Sequence, residues 1–345
     1  MKIKLLSLIT IVMISCTKNK KTPLFNDFQS VSTKKLTNSE KIFFKSNLFF
    51  SHMFDMKFCN DLILIQDLNS KHLFKIANLQ NYSLTNFGKR GEGPGELNTQ
   101  AAHGSFDYKN NLLFITDNQK YYIYNVDSIL NGNQKPFKKF KFKFDNDFYL
   151  SSTYCNNDLI VGGMMEKRFG IFNIDSKNNF SKHKYTNKQS PFVNQAKYYN
   201  HPSKSIVAYF QTNSATMGIM TIEKEDVFLK EKIWWRSEGK QVMDGKTTSI
   251  DHGKNPRIAF ISATVGEKSI FALYSGKSPL LHSIDSLTDA FLSCHVLEFD
   301  WEGNPIAHYV LDKQVRSIAY DEMNYILYAA SYSGGEPHLI KYNLK

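Results

Sequence analysis

Residues 62–76 read Leu62-Ile63-Leu64-Ile65-Gln66-Asp67, then a polar Leu-Asn-Ser-Lys turn, then His72-Leu73-Phe74-Lys75-Ile76. Both apolar runs are short and dominated by β-branched and aromatic side chains, so together they form a β-hairpin and not a helix. The first run is apolar at nearly every position, the pattern of a strand covered on both faces. The second alternates at Phe74-Lys75-Ile76, which places it farther from the centre with one wetter face. Asp67, immediately after the first strand, is expected to cap the turn through its carboxylate, and Asp117 holds the same place in the next copy.

Working outward, the same hairpin recurs along the chain. Leu112 to Asp117 with Tyr121 to Val126 is the second copy, followed by Leu159 to Gly162 with Gly170 to Ile174, and Ile206 to Phe210 with Gly218 to Ile222. Ile270 to Tyr274 with His295 to Phe299, and Ile326 to Ala330 with Leu339 to Tyr342, complete six copies. Their first strands start at 62, 112, 159, 206, 270 and 326, in steps of 50, 47, 47, 64 and 56 residues. A hairpin every 40 to 50 residues or so is the signature of propeller blades, with two further strands filling each repeat. The expected fold is therefore all-β, a six-bladed β-propeller with a short insertion in the fifth blade, Ser275 to Ser293, to which the 64-residue step is assigned. Ile284 to Phe291 within it reads as a short helix over one rim. Closure needs an N-terminal strand beside the C-terminal one, since an open ring would expose two sheet edges. Lys41 to Lys45 or Leu48 to Phe50 is placed there.

The 345 residues carry 43 Lys plus Arg against 32 Asp plus Glu, and aromatic residues make up 14%. That ring content excludes disordered, collagen-like and coiled-coil chains. The formal charge of +11 rests almost entirely on Lys, with Arg only at positions 90, 168, 236, 257 and 316. Nucleic-acid binding needs clustered charge as well as net charge, so no nucleic-acid partner is expected.

At the N-terminus, Lys2 and Lys4 precede an apolar run from Leu5 to Ile14, too short to span a membrane, and then Ser15-Cys16. This is the layout of a secretory signal. Met13-Ile14-Ser15-Cys16 resembles the bacterial lipobox, which implies cleavage before Cys16, acylation of its thiol, and a membrane anchor made of several acyl chains. The expected organisation is a signal peptide over 1–15, a lipidated Cys and polar tether over 16–35, and the propeller over 36–345. With no aspartate after the Cys and no acidic run, an outer-membrane lipoprotein facing the periplasm is expected, with the cell surface as the other arrangement. The remaining cysteines, Cys59, Cys155 and Cys294, have no disulfide or zinc-ligand spacing and read as buried small hydrophobes.

After the first hairpin stands Phe87-Gly88-Lys89-Arg90-Gly91-Glu92-Gly93-Pro94-Gly95-Glu96-Leu97. Its glycines and proline make a turn between two apolar bookends, without the spacing of a Walker or dinucleotide loop. The segment resembles the signature of TolB-like six-bladed β-propeller lipoproteins of Gram-negative bacteria. That resemblance implies a six-bladed ring on a lipid anchor and no particular reaction. It also implies that the loop joins one blade to the next, leaving Lys89, Arg90, Glu92 and Glu96 near one end of the ring as a candidate binding loop. The competing role for these charges is to pair with one another.

Ten His are scattered singly, and no catalytic residue, metal ligand set or cofactor motif is assigned. The basic stretch Lys135 to Phe144 alternates Lys and Phe, which suits an outer blade strand with its lysines guarding an exposed edge; contact with anionic lipid is the functional alternative. The expected function is thus a monomeric binding or scaffolding module for a protein, peptide or glycan. A hydrolase or lyase with a metal or carboxylate/His site at the channel mouth ranks second, because the chain shows no local nucleophile or ligand motif.

Overall fold

A computed structural model describes residues 25–345 apart from 46–48, 94, 98–101, 118–119, 142–150, 157, 163–168, 176–178, 181–194, 225, 245–246, 252 and 280–288. The signal sequence and lipobox lie outside the described residues, as do residues 280–288 of the fifth-blade insertion, which hold most of its expected short helix. After a 3-10 turn at Asn26–Phe28 come β1 (Ser32–Leu36) and β2 (Glu40–Lys41). The first blade is β3 (Met53–Cys59), β4 (Leu62–Asp67), β5 (His72–Asn78) and β6 (Ser83–Lys89). The second is β7 (Ala102–Asp107), β8 (Leu112–Asp117), β9 (Lys120–Asn125) and β10 (Lys138–Lys141), with helix α1 (Val126–Leu130) between its last two strands. The third is β11 (Ser151–Cys155), β12 (Asp158–Gly162), β13 (Phe169–Asn173) and β14 (Asn179–Phe180). The fourth is β15 (Ala196–Asn200), β16 (Ile206–Gln211), β17 (Ala215–Glu223) and β18 (Asp226–Trp235).

A separate hairpin, β19 (Lys240–Asp244) and β20 (Thr247–Asp251), precedes the fifth blade. It accounts for the 64-residue step, correcting the assignment of that step to Ser275 to Ser293: the latter follows residue 270 and lengthens the next step instead. The fifth blade is β21 (Phe260–Val265), β22 (Ile270–Tyr274), β23 (Ser293–Phe299) and the first half of β24 (Pro305–Asp321). The second half of β24 starts the sixth blade, which continues through β25 (Ile326–Ser331) and β26 (His338–Asn343).

The recognised hairpins are the second and third strands of all six blades. Six apolar clusters lie between neighbouring blades, which is why the second strand of each blade shows no alternation. Between the second and third blades, for example, Phe114 stacks on Tyr154 with ring centroids 3.7 Å apart. Close approach also constrains the third and fourth: a Cβ on Gly162 would stand 1.9 Å from the Tyr198 ring.

The ring closes through both termini. β2 pairs antiparallel with β26 through Glu40 and Lys41, and the Ile42 amide donates to the Leu339 carbonyl at 2.9 Å. Of the two segments proposed for closure, the one at Lys41 supplies the strand; Phe50 instead packs in the cluster between the sixth and first blades. Residues 25–36, read mostly as tether, are part of the packed fold: β1 runs parallel to β24, and Phe25 and Phe28 are buried between the fourth and fifth blades. Phe25 stacks on Trp234 at 4.2 Å, and Phe28 meets Phe299 edge-on at 5.2 Å.

Lys75 and Asp67 depart from their sequence reading. Lys75 is 2% exposed, so the third strand is not wet at that position. Its ammonium bonds the buried Asp67 carboxylate at 2.5 Å, and that carboxylate also accepts from the Ser51 and His52 amides. Asp67 therefore fixes the chain entering β3 and does not cap its own hairpin turn. These donors hold the carboxyl below its usual range despite burial.

Candidate binding site at the channel mouth

The innermost strand of each blade, β3, β7, β11, β15, β21 and the second half of β24, faces the ring axis. At the end where these strands begin, a cavity of about 360 Å³ opens among Asp55 and Lys57 of β3, His103 of β7, Ser152 of β11 and Lys197 of β15. It adjoins a second, of about 230 Å³, which shares Phe54 and Lys197 and adds Ile261 and Arg316. A depression of about 780 Å³ at the opposite end is larger, but its charges are balanced: Asp107 and Glu267 sit there with Lys109 and Lys204. Asp107 is already engaged by the Lys109 and Asn110 amides.

The mouth gains its side chains partly through interrupted pairing. The β3 ladder skips at Phe54, the β21 ladder at Ile261, and the β24 ladder between Val315 and Ile318, around Arg316. A bulge turns the extra side chain out of the sheet alternation, and bulges concentrate beside functional sites. Here the turned side chains all line the channel.

Inside this space, among the described residues, stand three cations and one carboxylate, Lys57, Lys197, Arg316 and Asp55, with the exposed Arg90 as a fourth cation at the rim. Lys197 donates to the Ile261 carbonyl at 2.9 Å and lies 3.6 Å from Asp55. Lys57 reaches the Tyr198 carbonyl at 3.4 Å and lies over the Tyr199 ring at 4.5 Å. Burial lowers the affinity of both ammonium groups for their protons, with Asp55 opposing. Arg316 is held between Phe54 and Phe291, 5.3 and 5.2 Å from their ring centres, with no carboxylate partner among the described residues. Burial lowers its pKa too, yet a guanidinium keeps its proton. His103 is pushed down to about 4 by burial, so it is neutral. Asp55 Oδ1, His103 Nε2 and Arg316 Nε are buried without a hydrogen-bond partner.

The glycine-rich loop leaves β6 on this same rim. Arg90 lines the cavity and points a guanidinium nitrogen at the Leu68 carbonyl, 3.4 Å away. Lys89 and Glu96 turn to each other at 2.5 Å, and the second Glu96 oxygen accepts from the Gly93 amide at 3.0 Å. Leu97 is buried against Gly88, whose φ of +67° leaves the room: a Cβ there would be 2.7 Å from Leu97 Cδ1. Glu92 is exposed and lines neither cavity. The loop is thus internally latched, and of its four charged residues the structure brings Arg90 to the channel.

Sequence reading missed Asp55, Lys57, His103, Lys197 and Arg316. The available signal was one or two charges inside an otherwise apolar strand, as Asp55 and Lys57 are in Met53-Phe54-Asp55-Met56-Lys57-Phe58. Among the described residues no three His, Cys, Asp or Glu are grouped to hold a metal ion, and no helix is long and apolar enough to cross a membrane. Cys59 and Cys155 are buried free thiols whose pKa burial raises to about 12.

Four four-stranded sheets, with one eight-stranded sheet that β24 carries through the fifth and sixth blades, surround an axial channel and define a six-bladed β-propeller. The chain belongs to the TolB-like 6-blade propeller-like family, whose model matches residues 27–323. Among solved structures it is similar to a putative exported protein of Bacteroides fragilis, at 11% identity and a TM-score of 0.56, over 91% of this chain and 99% of that one. A member of the DUF4221 family from Bacteroides vulgatus matches at 6% identity and a TM-score of 0.56, over 90% and 97% of the two chains. The Swd1 β-propeller domain of Myceliophteria thermophila follows at 7% and 0.50, over 89% and 100%. At such identities the likeness is one of fold. No curated protein matches the chain.

Proposed function

We propose that this protein is a lipid-tethered binding module of the bacterial envelope, which receives a small ligand in the channel end bordered by residues 87–97. The observation that carries the reading is the set of half-buried charges inside that mouth: three cations and one carboxylate, held on rigid strands with hydrogen-bonding capacity unspent. Burying charge that the fold does not neutralise is costly, and such arrangements concentrate at functional sites. The anchor reading comes from the sequence: a leader over 1–15, acylated Cys16, and a short tether before the packed chain at Phe25. An outer-membrane position facing the periplasm follows from the absence of retention and export signals after Cys16. Larger partners, peptides or glycans among them, would meet the outer rim around Arg90.

Two experiments test this. Protein purified from its own host's envelope, denatured and analysed by mass spectrometry, should release a small molecule at near-stoichiometric yield. The Lys57→Met/Lys197→Met protein should not. Equal small-molecule content in both would refute the channel as the site. Metabolic labelling with a fatty-acid analogue should mark the wild type and not Cys16→Ala; an exported but unlabelled wild type would refute the anchor.

A further inference from the structure

We infer that the channel mouth is a site for a compact dianion, a phosphate monoester or a dicarboxylate, with Arg316 and Lys197 taking its charged groups. The inference rests on the channel being the binding site and adds the chemistry of what enters it.

The charge count comes first. Lys57, Lys197 and Arg316 against Asp55 leave two positive charges uncompensated inside the channel among the described residues, with His103 neutral and the exposed Arg90 set at the rim. Two negative charges restore balance, whereas a neutral sugar would leave both cations buried and unpaired.

The free hydrogen-bonding capacity is a second, independent observation. Arg316 Nε is buried and has no acceptor, and among the described residues no carboxylate is paired with this guanidinium. A guanidinium offers paired donors suited to carboxylate or phosphate oxygens. Its two flanking rings keep the plane from turning toward another partner, since Phe54 and Phe291 both lie close to it. Lys197 sits over the same Phe54 ring at 4.5 Å, so one aromatic side chain positions both cations. Lys197 spends one donor on the Ile261 carbonyl, leaving others for the ligand.

Shape sets the size. A cavity of about 360 Å³ adjoining one of about 230 Å³ falls within the size range of small-molecule pockets, which suits a metabolite and not a buried polymer segment. His103 Nε2, which has no partner, and Asp55 Oδ1, which has the Lys197 ammonium at 3.6 Å but no hydrogen bond, remain for polar groups on the body of the ligand.

Isothermal titration calorimetry on the full-length protein in detergent at low salt tests the proposal. The probes are inorganic phosphate, succinate and glucose 6-phosphate, with acetate and glucose as comparators. At least one dianion should bind one to one, and at least tenfold more tightly than acetate, with glucose giving no heat. Arg316→Met and Lys197→Met should each weaken that dianion at least tenfold. Preference for succinate identifies a dicarboxylate site, and preference for the phosphates a phosphate site. No binding by any dianion, glucose or acetate binding as tightly, or unchanged affinity in both variants would overturn the proposal. A neutral molecule released from the native protein would overturn the dianion assignment while leaving the channel as the binding site.

Discussion

Replacing Arg316 with Met should make the ligand-free protein more stable, because its charge serves the channel and not the fold. The buried Nε has no acceptor, a deficit of about 1–3 kcal/mol. Removing an isolated buried cation relieves further desolvation. Against this stand the contacts with Phe54 and Phe291, at about 0.5–1 kcal/mol each, part of which a Met sulfur retains. The balance is a gain of about 1–2 kcal/mol, or a rise of roughly 1–3 °C in melting temperature for a chain of this size. Lys75→Met is the matched control, since it removes one partner of a buried 2.5 Å pair and strands Asp67. It should cost about 3–5 kcal/mol. Differential scanning calorimetry and urea titration of ligand-free protein, after dialysis under denaturing conditions and refolding, read both changes. A fall of more than about 2 °C for Arg316→Met would refute the reasoning, because it would make Arg316 a strut of the sixth blade.

Phe28, 2% exposed and set edge-on against Phe299, should cost about 3–5 kcal/mol when changed to Ala, seen as a shifted urea midpoint. A chain starting at Ser51 loses this plug, β1 and β2 together, and should aggregate where one starting at Phe25 does not; equal solubility would contradict N-terminal closure. Gly88→Ala places a Cβ 2.7 Å from Leu97 Cδ1 at a φ of +67°, so it should lower stability by about 1–3 kcal/mol. His308, 3% exposed, is pushed down to about 4 by burial and then by the neighbouring His295. The unfolded chain takes up this proton first, so the contribution is complete above about pH 6.5 and is lost as pH falls toward 4. At about 1.36 kcal/mol per pH unit this amounts to roughly 3 kcal/mol. Urea midpoints of wild type and His308→Gln at pH 7.5 and 4.5 should show a shallower decline in the variant, and parallel declines would show that another group titrates.

The hairpins at 62–76 and its five counterparts made the ring legible, because inter-blade burial leaves second strands apolar throughout and tight turns punctuate them. The first strands were harder to see: Met53–Cys59 mixes Asp55 and Lys57 into an apolar run, since it faces the channel on one side and the core on the other. That is why the channel charges went unread. Apart from Asp55 and Lys57, which share β3, they come from separate segments, and only closure of the ring brings residue 55 beside residue 197. The glycine-rich motif lies on the same rim as the channel charges, but its conspicuous charges mostly hold the loop: Lys89 and Glu96 satisfy each other. Lys75 could not be distinguished from a surface lysine, because its partner Asp67 lies across a turn and inside the blade.

The central claim is that the channel mouth is built to hold a ligand, and an experimental structure of protein purified from its native envelope tests it most directly. The account predicts density for a small molecule within hydrogen-bond distance of Arg316 and Lys197. A channel holding only water, with the Arg316 guanidinium paired to a carboxylate of the protein, would contradict it.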